Sequence, residues 1–378
     1  MAIAPQRSKG RLPGYIYSQA PRNVYWEMTR ACDLACRHCR ADAEHNRDPR
    51  ELTTEEGKTL MRDIKEMGSM LILTGGDPMK RSDLFELMDY GRSIHLPLGI
   101  TPSTTPTLTR DVVERFSEMG VSAMGVSLDG PNAQVHDSFR RVPGTFDCSM
   151  RALSWANELN LPVQINTTVT VETLPHLREV YRVLCERGAP AVRRWSLFVL
   201  IPVGRGAALG APSPEQIDEL FAWVYEMSDK APFHLGTVEA PHYRRYWIQR
   251  KLAEGATQGD IEKWAPRMGF GIRDGNGVVF VSSIGEVYPA GFLPEPLLGN
   301  VRERSIIDLY RNSPALVVLR DSDQLHGRCG ACEYRWPCGG SRARAFGMTG
   351  DMMGSDPLCS YQPAMAADQQ ASAASRPA

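Results

Sequence analysis

The chain has 378 residues, 42% of them hydrophobic, and its 43 Lys and Arg against 44 Asp and Glu leave a formal net charge of −1. That length is too great for one small core and suits a large α/β unit with a smaller attachment. No basic excess points to nucleic acid or an anionic membrane as a partner, no apolar run is long enough to cross a bilayer, and residues 1–14 hold no hydrophobic signal core, so the expected compartment is the cytoplasm.

Residues 1–20 carry Arg7, Lys9 and Arg11 among Pro and Gly and read as a mobile or loosely docked arm. A strand is predicted over 21–28. Directly after it comes Cys32-Asp33-Leu34-Ala35-Cys36-Arg37-His38-Cys39, three cysteines spaced C-x3-C-x2-C. In α/β barrels the loops at the C-terminal ends of strands are where ligands bind. A structural zinc site or a closed [4Fe–4S] cage takes four protein ligands, so a trio points to a cluster with one iron left open. Small core thiols and disulfide partners are the competing readings, the latter at odds with a reducing cytosol.

A capping pattern at Thr53-Thr54-Glu55-Glu56 opens a helix running toward Met67, with Leu60, Met61 and Ile64 as its apolar positions. A strand over 70–73 ends in Thr74-Gly75-Gly76-Asp77-Pro78. Glycines there let backbone approach a ligand closely, and a carboxylate can accept from an ammonium group; the same run also reads as a plain strand-to-helix turn. The period repeats through helix 83–94, strand 98–101, helix 110–119, strand 123–128, helix 148–159, strand 163–169, helix 175–187 and strand 194–200, which leads into Gly204-Arg205-Gly206. Strands alternating with such helices imply parallel βαβ units with right-handed crossovers, six in all. Arg140, after the fourth strand, offers a fork suited to a carboxylate or to a surface ion pair. His136 and Asp137 read as loop-structuring, and Cys148 and Cys185 as ordinary buried thiols in helices.

Another helix opens near Pro214 and runs to about 227. The basic, aromatic run His242-Tyr243-Arg244-Arg245-Tyr246-Trp247 reads as a solvated helix face, or as a surface pairing arginines with carboxylates and stacking aromatics on a flat ligand. A hairpin is predicted from 278–282 and 286–289, then helices over 306–312 and from 314. Cys329, Cys332, Cys338 and Cys359 follow, enough for a complete cage around zinc or a [4Fe–4S] cluster. The Ala-, Ser- and Gln-rich end reads as disordered.

The first cysteine loop resembles the signature of the radical S-adenosylmethionine (SAM) enzymes. Gly75-Gly76-Asp77 is similar to that family's "GGE" motif, with Asp in place of the usual Glu. Ser127-Leu128-Asp129-Gly130 and its continuation through Arg140 to Phe146 resemble the "SLDG…HDxxR…GTF" run of a subset of it. The C-terminal "CGxCEYRxxCGGSRARA…TGD…DPLC" resembles the SPASM/twitch extension of radical SAM maturases. The resemblance implies an α/β fold: a partial (β/α)6 TIM-like barrel over 21–235, a linker and small α+β auxiliary-cluster domain over 236–363, and a tail over 364–378.

In that family Cys32, Cys36 and Cys39 would hold a [4Fe–4S] cluster whose open iron is chelated by SAM. Gly75, Gly76 and Asp77 would meet the methionyl amine, Ser127 the ribose, Arg140 the carboxylate, Asn166 the nucleoside and residues 204–206 the adenine. Cys329, Cys332, Cys338 and Cys359 would hold an auxiliary [4Fe–4S] cluster. Two-cluster extensions carry a cysteine after the hairpin, where this chain reads Tyr288-Pro289-Ala290-Gly291, so one auxiliary cluster is expected. The implied activity is reductive cleavage of SAM to a 5′-deoxyadenosyl radical that takes hydrogen from a substrate, with an electron donor such as flavodoxin or ferredoxin. The chain looks most like the maturases that trim or oxidise tetrapyrrole side chains in d1-type and alternative haem synthesis. A peptide maturase forming thioether or carbon–carbon crosslinks is the second reading, although the 31 residues before Cys32 leave no room for a peptide-recognition domain. An iron–sulfur electron carrier is the third, and it has no need of Gly75-Gly76-Asp77 and Arg140.

Overall fold

The computed structural model describes residues 12–364, so the expectations for residues 1–11 and 365–378 lie outside it. Seven strands stand side by side in chain order, each parallel to the last: β1 (Asn23–Glu27), β2 (Met70–Thr74), β3 (Leu98–Ile100), β4 (Ala123–Ser127), β5 (Val163–Val169), β6 (Val192–Val199) and β7 (His234–Val238). The crossovers carry α1 (Thr54–Met67), α2 (Leu84–Ser93), α3 (Arg110–Glu118), α4 (Ala133–Arg140), α5 (Thr145–Glu158), α6 (Leu177–Arg187) and α7 (Pro214–Ser228). This is the partial barrel with one parallel strand beyond the six units expected. β7 reads His-Leu-Gly-Thr-Val, and its Gly and His interrupt the branched apolar run that marks a buried strand.

The C-terminal part is built from α8 (Tyr243–Ala253), α9 (Gln258–Trp264), β8 (Val278–Val281), β9 (Glu286–Tyr288), β10 (Gly299–Asn300), α10 (Ile306–Asn312), α11 (Pro314–Arg320), α12 (Gly327–Ala331) and α13 (Arg342–Thr349). Its expected hairpin forms, and β8 lies parallel against β1, so β8 to β10 extend the barrel sheet to ten strands. Among the described residues no helix is long and apolar enough to cross a membrane.

The strand pleat divides side chains between helices and lumen. On β1, Val24 and Trp26 are fully buried in the main core, while Asn23 and Tyr25 line the inner cavity. The Trp26 indole lies under α1, where Gly57 makes room: a Cβ there would fall 2.7 Å from the indole Cη2. Around that contact α1 is closed at both ends. Thr53 and Glu56 form a reciprocal capping box, and Gly68 at φ 69° supplies the left-handed C-terminal turn. We expect Trp26→Ala to cost about 3–5 kcal/mol in urea denaturation; a loss under about 1 kcal/mol would show that α1 collapses onto the gap.

The described part of the arm, residues 12–20, is docked. The Tyr17 N–H donates to Asn276 Oδ1 at 2.8 Å, Asn276 Nδ2 donates to the Tyr15 carbonyl at 2.8 Å, and the Tyr310 hydroxyl donates to the Tyr17 carbonyl at 2.7 Å. Leu12 and Tyr15 pack on a second small core around Ile248, Ile261 and Phe270. Backbone groups satisfied by buried partners order a segment that its own composition would leave free.

Candidate active site

After β1 the chain passes through Cys32, Cys36 and Cys39 at the C-terminal end of the parallel strands. Cys32 and Cys36 are buried with Leu34, and Cys39, Ala43 and Val142 pack on that island. Backbone amides face the sulfurs: Leu34 N–H donates to Cys32 Sγ at 3.3 Å and Ala43 N–H to Cys39 Sγ at 3.4 Å. Burial raises the Cys32 thiol above its ordinary value, with the Ser103 hydroxyl and the Leu34 amide working against that. The glycines at the exit of β2 press against this loop. Gly76 N–H donates to the Thr29 carbonyl and Asp77 N–H to that of Ala31, both at 2.7 Å. A Cβ on Gly75 would sit 2.4 Å from the Thr29 oxygen, and one on Gly76 2.5 Å from the Arg30 and Ala31 oxygens. The motif is therefore first a seam between two loops.

Asp77 is completely buried. Its Oδ1 accepts from Met79 N–H at 3.1 Å and Ser103 N–H at 3.2 Å, while Oδ2 lies buried without a hydrogen-bond partner. An ammonium group fits that orphaned oxygen. Burial raises the Asp77 pKa to about 6, so the fold holds this proton more tightly than the open chain does. Cluster-free protein should then lose stability as pH rises from about 4 through 6, by about 3 kcal/mol. Asp77→Asn, which keeps the Oδ1 acceptor, should remove that slope in urea midpoints measured across pH 4 to 7; an unchanged slope would assign it to other groups. Ser103, which sequence reasoning missed, ties the pieces together. Its hydroxyl lies 3.3 Å from Cys32 Sγ and donates to the Gly76 carbonyl at 3.1 Å. The signal was its place just past β3, on the same end of the barrel as the cysteines.

Ser127 and Asn166 are register partners on β4 and β5, and Asn166 Oδ1 accepts from Gln164 Nε2 at 2.8 Å. Arg140, whose motif implies a ligand carboxylate, has partners within the chain. Its Nε and Nη2 donate to Asp129 Oδ2 at 2.7 and 2.5 Å, and its Nη1 lies 3.6 Å from Cys36 Sγ. Asp129 is in turn fixed by Thr168 N–H at 2.7 Å. The pair holds the Arg140 guanidinium against the Cys36 sulfur. Nearby, burial and the Arg140 charge hold His38 down to about 3, so it stacks on Phe139 as a neutral ring. His136 and Asp137 have the structuring roles expected of them: His136 Nδ1 accepts from Asp129 N–H, and Asp137 caps α5 by accepting from Gly144 N–H and Phe146 N–H.

Residues 204–206, expected near an adenine, also grip the cysteine loop. Arg205 N–H donates to the Cys39 carbonyl at 3.0 Å, its Nε to that of Cys36 at 2.9 Å and its Nη1 to that of Ala43 at 3.3 Å. Gly204 stands where a Cβ would be 2.5 Å from the Cys39 oxygen.

Cys329, Cys332, Cys338 and Cys359 line a single pocket together with His242, Arg245 and Tyr361. Arg342, fully buried, places Nη2 3.6 Å from Cys329 Sγ. Burial pushes the Cys332 thiol up to about 12 and raises Cys338 and Cys359 as well. Thiols so desolvated ionise readily only beside metal charge. All nine cysteines are free. Among the described residues no three His, Cys, Asp or Glu side chains close to the spacing of a single metal ion, whereas a cluster asks for thiolates spread around a larger body. The second cysteine set lines one pocket, and the first shares one packed island. The basic run on α8 is a strut rather than a solvated face. Arg244 donates to the Ile272 carbonyl at 2.7 Å, and Arg245 lies over the Tyr361 ring at 5.0 Å.

The lumen holds a cavity of about 880 Å³. Tyr25, Gln164, Arg194 and Phe198 line it from the strands, and Arg244, Trp247 and Arg267 from the α8–α9 side. That volume lies in the range of small-molecule sites.

An open parallel barrel with a three-cysteine loop at its mouth, a buried carboxylate beside it and a ligand-sized lumen defines a cluster-dependent enzyme. The model of the radical SAM superfamily matches residues 26–184. The chain is 41% identical over 350 residues to the AdoMet-dependent heme synthase of Oleidesulfovibrio alaskensis, covering 92% of this chain and 89% of that protein. It is 37% identical to the protein of the same name from Methanosarcina barkeri, covering 92% of this chain and 98% of the other. In fold it is similar to Streptococcus suis SuiB bound to S-adenosylmethionine, with a TM-score of 0.71 at 16% identity over 91% of this chain and 78% of that one. The chain belongs to the radical SAM superfamily and, within it, to the family of the AdoMet-dependent heme synthases. It is an enzyme whose cofactors are SAM and a [4Fe–4S] cluster.

Proposed function

We propose that this enzyme oxidises or trims a side chain of a carboxylated iron tetrapyrrole in haem synthesis. The carrying observation is identity of 37–41% along nearly the whole length of proteins named heme synthases. The lumen supports it, being of ligand size, walled by aromatic rings and rich in arginine. Cys32, Cys36 and Cys39 hold the SAM-binding cluster, and Cys329, Cys332, Cys338 and Cys359 hold an auxiliary one. When bound, cluster and SAM supply the 5′-deoxyadenosyl radical that removes hydrogen from the substrate. The chain's own residues position these parts. Asp77 Oδ2 accepts from the methionyl ammonium, with Gly75 and Gly76 setting its place. Ser127 and Asn166 face the nucleoside, and Arg205 and the Arg140–Asp129 pair steady the cysteine loop. The enzyme works in the cytoplasm with a flavodoxin- or ferredoxin-type electron donor.

The test is anaerobic reconstitution, iron counting and a dithionite assay for 5′-deoxyadenosine with and without iron coproporphyrin. About eight irons, and cleavage stimulated by the porphyrin, are expected. Cleavage indifferent to porphyrin would overturn the substrate class and favour a peptide.

A further inference from the structure

We propose that Arg194 anchors a substrate carboxylate inside the lumen cavity, a reading that rests on the tetrapyrrole assignment above. Arg194 stands on β6 between Gln164 of β5 and His234 of β7 and forms part of the cavity wall. Its Nε donates to Ser196 Oγ at 3.0 Å, and among the described residues no carboxylate forms an ion pair with it. An arginine held this way leaves most of its planar fork unused, and a carboxylate is the partner that takes two parallel donors.

The surroundings sharpen the need for an anion. Burial and the neighbouring Arg22 both work against the Arg194 charge, and the cavity wall together with Arg194 holds His234 down to about 4, leaving it neutral. The carboxyl groups that share the cavity do not neutralise this end. Asp274 Oδ2 is taken by Arg342 N–H and Ala343 N–H, and Glu239 accepts from Ser341 Oγ at 2.9 Å. Burial and Asp274 lift Glu239 to about 8, so it carries a proton at neutral pH. Asp229 is exposed, beyond the end of α7. Gly236 keeps the place open, since a Cβ there would come 3.4 Å from Arg194 Nη2 and 3.0 Å from His234 Cε1. A flat ring carrying peripheral carboxylates matches a recess that pairs aromatic walls with a guanidinium whose fork is left open.

The test compares binding of iron coproporphyrin, which has four carboxylates, with iron octaethylporphyrin, which has the same ring and none. Quenching of tryptophan fluorescence reads both, because Trp247 and Trp264 lie on the cavity wall. Reconstituted wild type, Arg194→Gln and Arg194→Lys are titrated in parallel. Wild type should prefer the carboxylated ring. Arg194→Gln should weaken it about tenfold to a hundredfold while leaving octaethylporphyrin unchanged, and Arg194→Lys should recover part of the loss. A Gln variant that binds coproporphyrin as wild type does overturns the anchor and leaves the tetrapyrrole reading standing. Wild type that binds neither ring overturns both. Should Gln damage the fold, seen as loss of octaethylporphyrin binding, the Lys variant decides: wild-type affinity for the carboxylated ring would refute the two-bond clamp.

Discussion

Replacing Cys32, Cys36 and Cys39 together by Ala is expected to abolish 5′-deoxyadenosine formation and to halve the iron of the reconstituted protein, from about eight atoms to about four. The loop is held by groups other than the thiols. Arg205 binds three of its carbonyls, and the seam at Gly76 and Asp77 fixes its first turn. The variant should therefore keep its circular dichroism and its thermal midpoint while losing the cluster. Cys32 and Cys36 are buried, and Cys39 half-buried, with few apolar neighbours, so truncation to Ala forfeits little packing. Retained SAM cleavage in the triple variant would refute the ligand assignment outright. Unchanged iron with lost cleavage would move the cluster to other residues and leave the loop a SAM-binding role alone.

What could be read from the chain divides by distance along it. Ligand spacing within the 32–39 loop, the capping box of α1 and the repeating strand and helix periods are local, and each has a local physical cause. Arg140 shows the limit. Its motif announces a carboxylate partner, and one is there, but it is Asp129, 11 residues away in sequence, with Cys36 at a separation of 104. No spacing rule distinguishes a fork aimed at a ligand from one aimed at a neighbouring loop. The arm is a second case: Pro and Gly composition suggests looseness, yet Tyr17 is fixed by Asn276 and Tyr310, 259 and 293 residues away. Short elements were also hidden. The eight residues of α4 begin at an Asn132 cap that accepts from Val135 N–H, a signal too brief to stand out within a loop-like motif.

Cys338→Ser is expected to spare substrate-independent SAM cleavage and to stop product formation, with the iron content falling again to about four. The two cysteine sets share no lining residue and stand on different elements, one after β1 and the other between α11 and the C-terminal end of the described chain. Loss of the second cluster should therefore leave the first chemistry intact. Oxidation of a side chain by hydrogen removal leaves an unpaired electron on the product, and a cluster held by Cys329, Cys332, Cys338 and Cys359 would supply an acceptor for it. Glu239, Asp274 and Ser341 line the lumen cavity, and Ser341 lies three residues beyond Cys338. Serine removes one ligand from a pocket whose thiols are already costly to ionise, so partial retention of the cluster is not expected. The decisive readout is the ratio of product to 5′-deoxyadenosine: it should fall from near one per coupled event toward zero. If that ratio holds while iron is lost, the electron leaves by another route and the second cysteine set serves the fold.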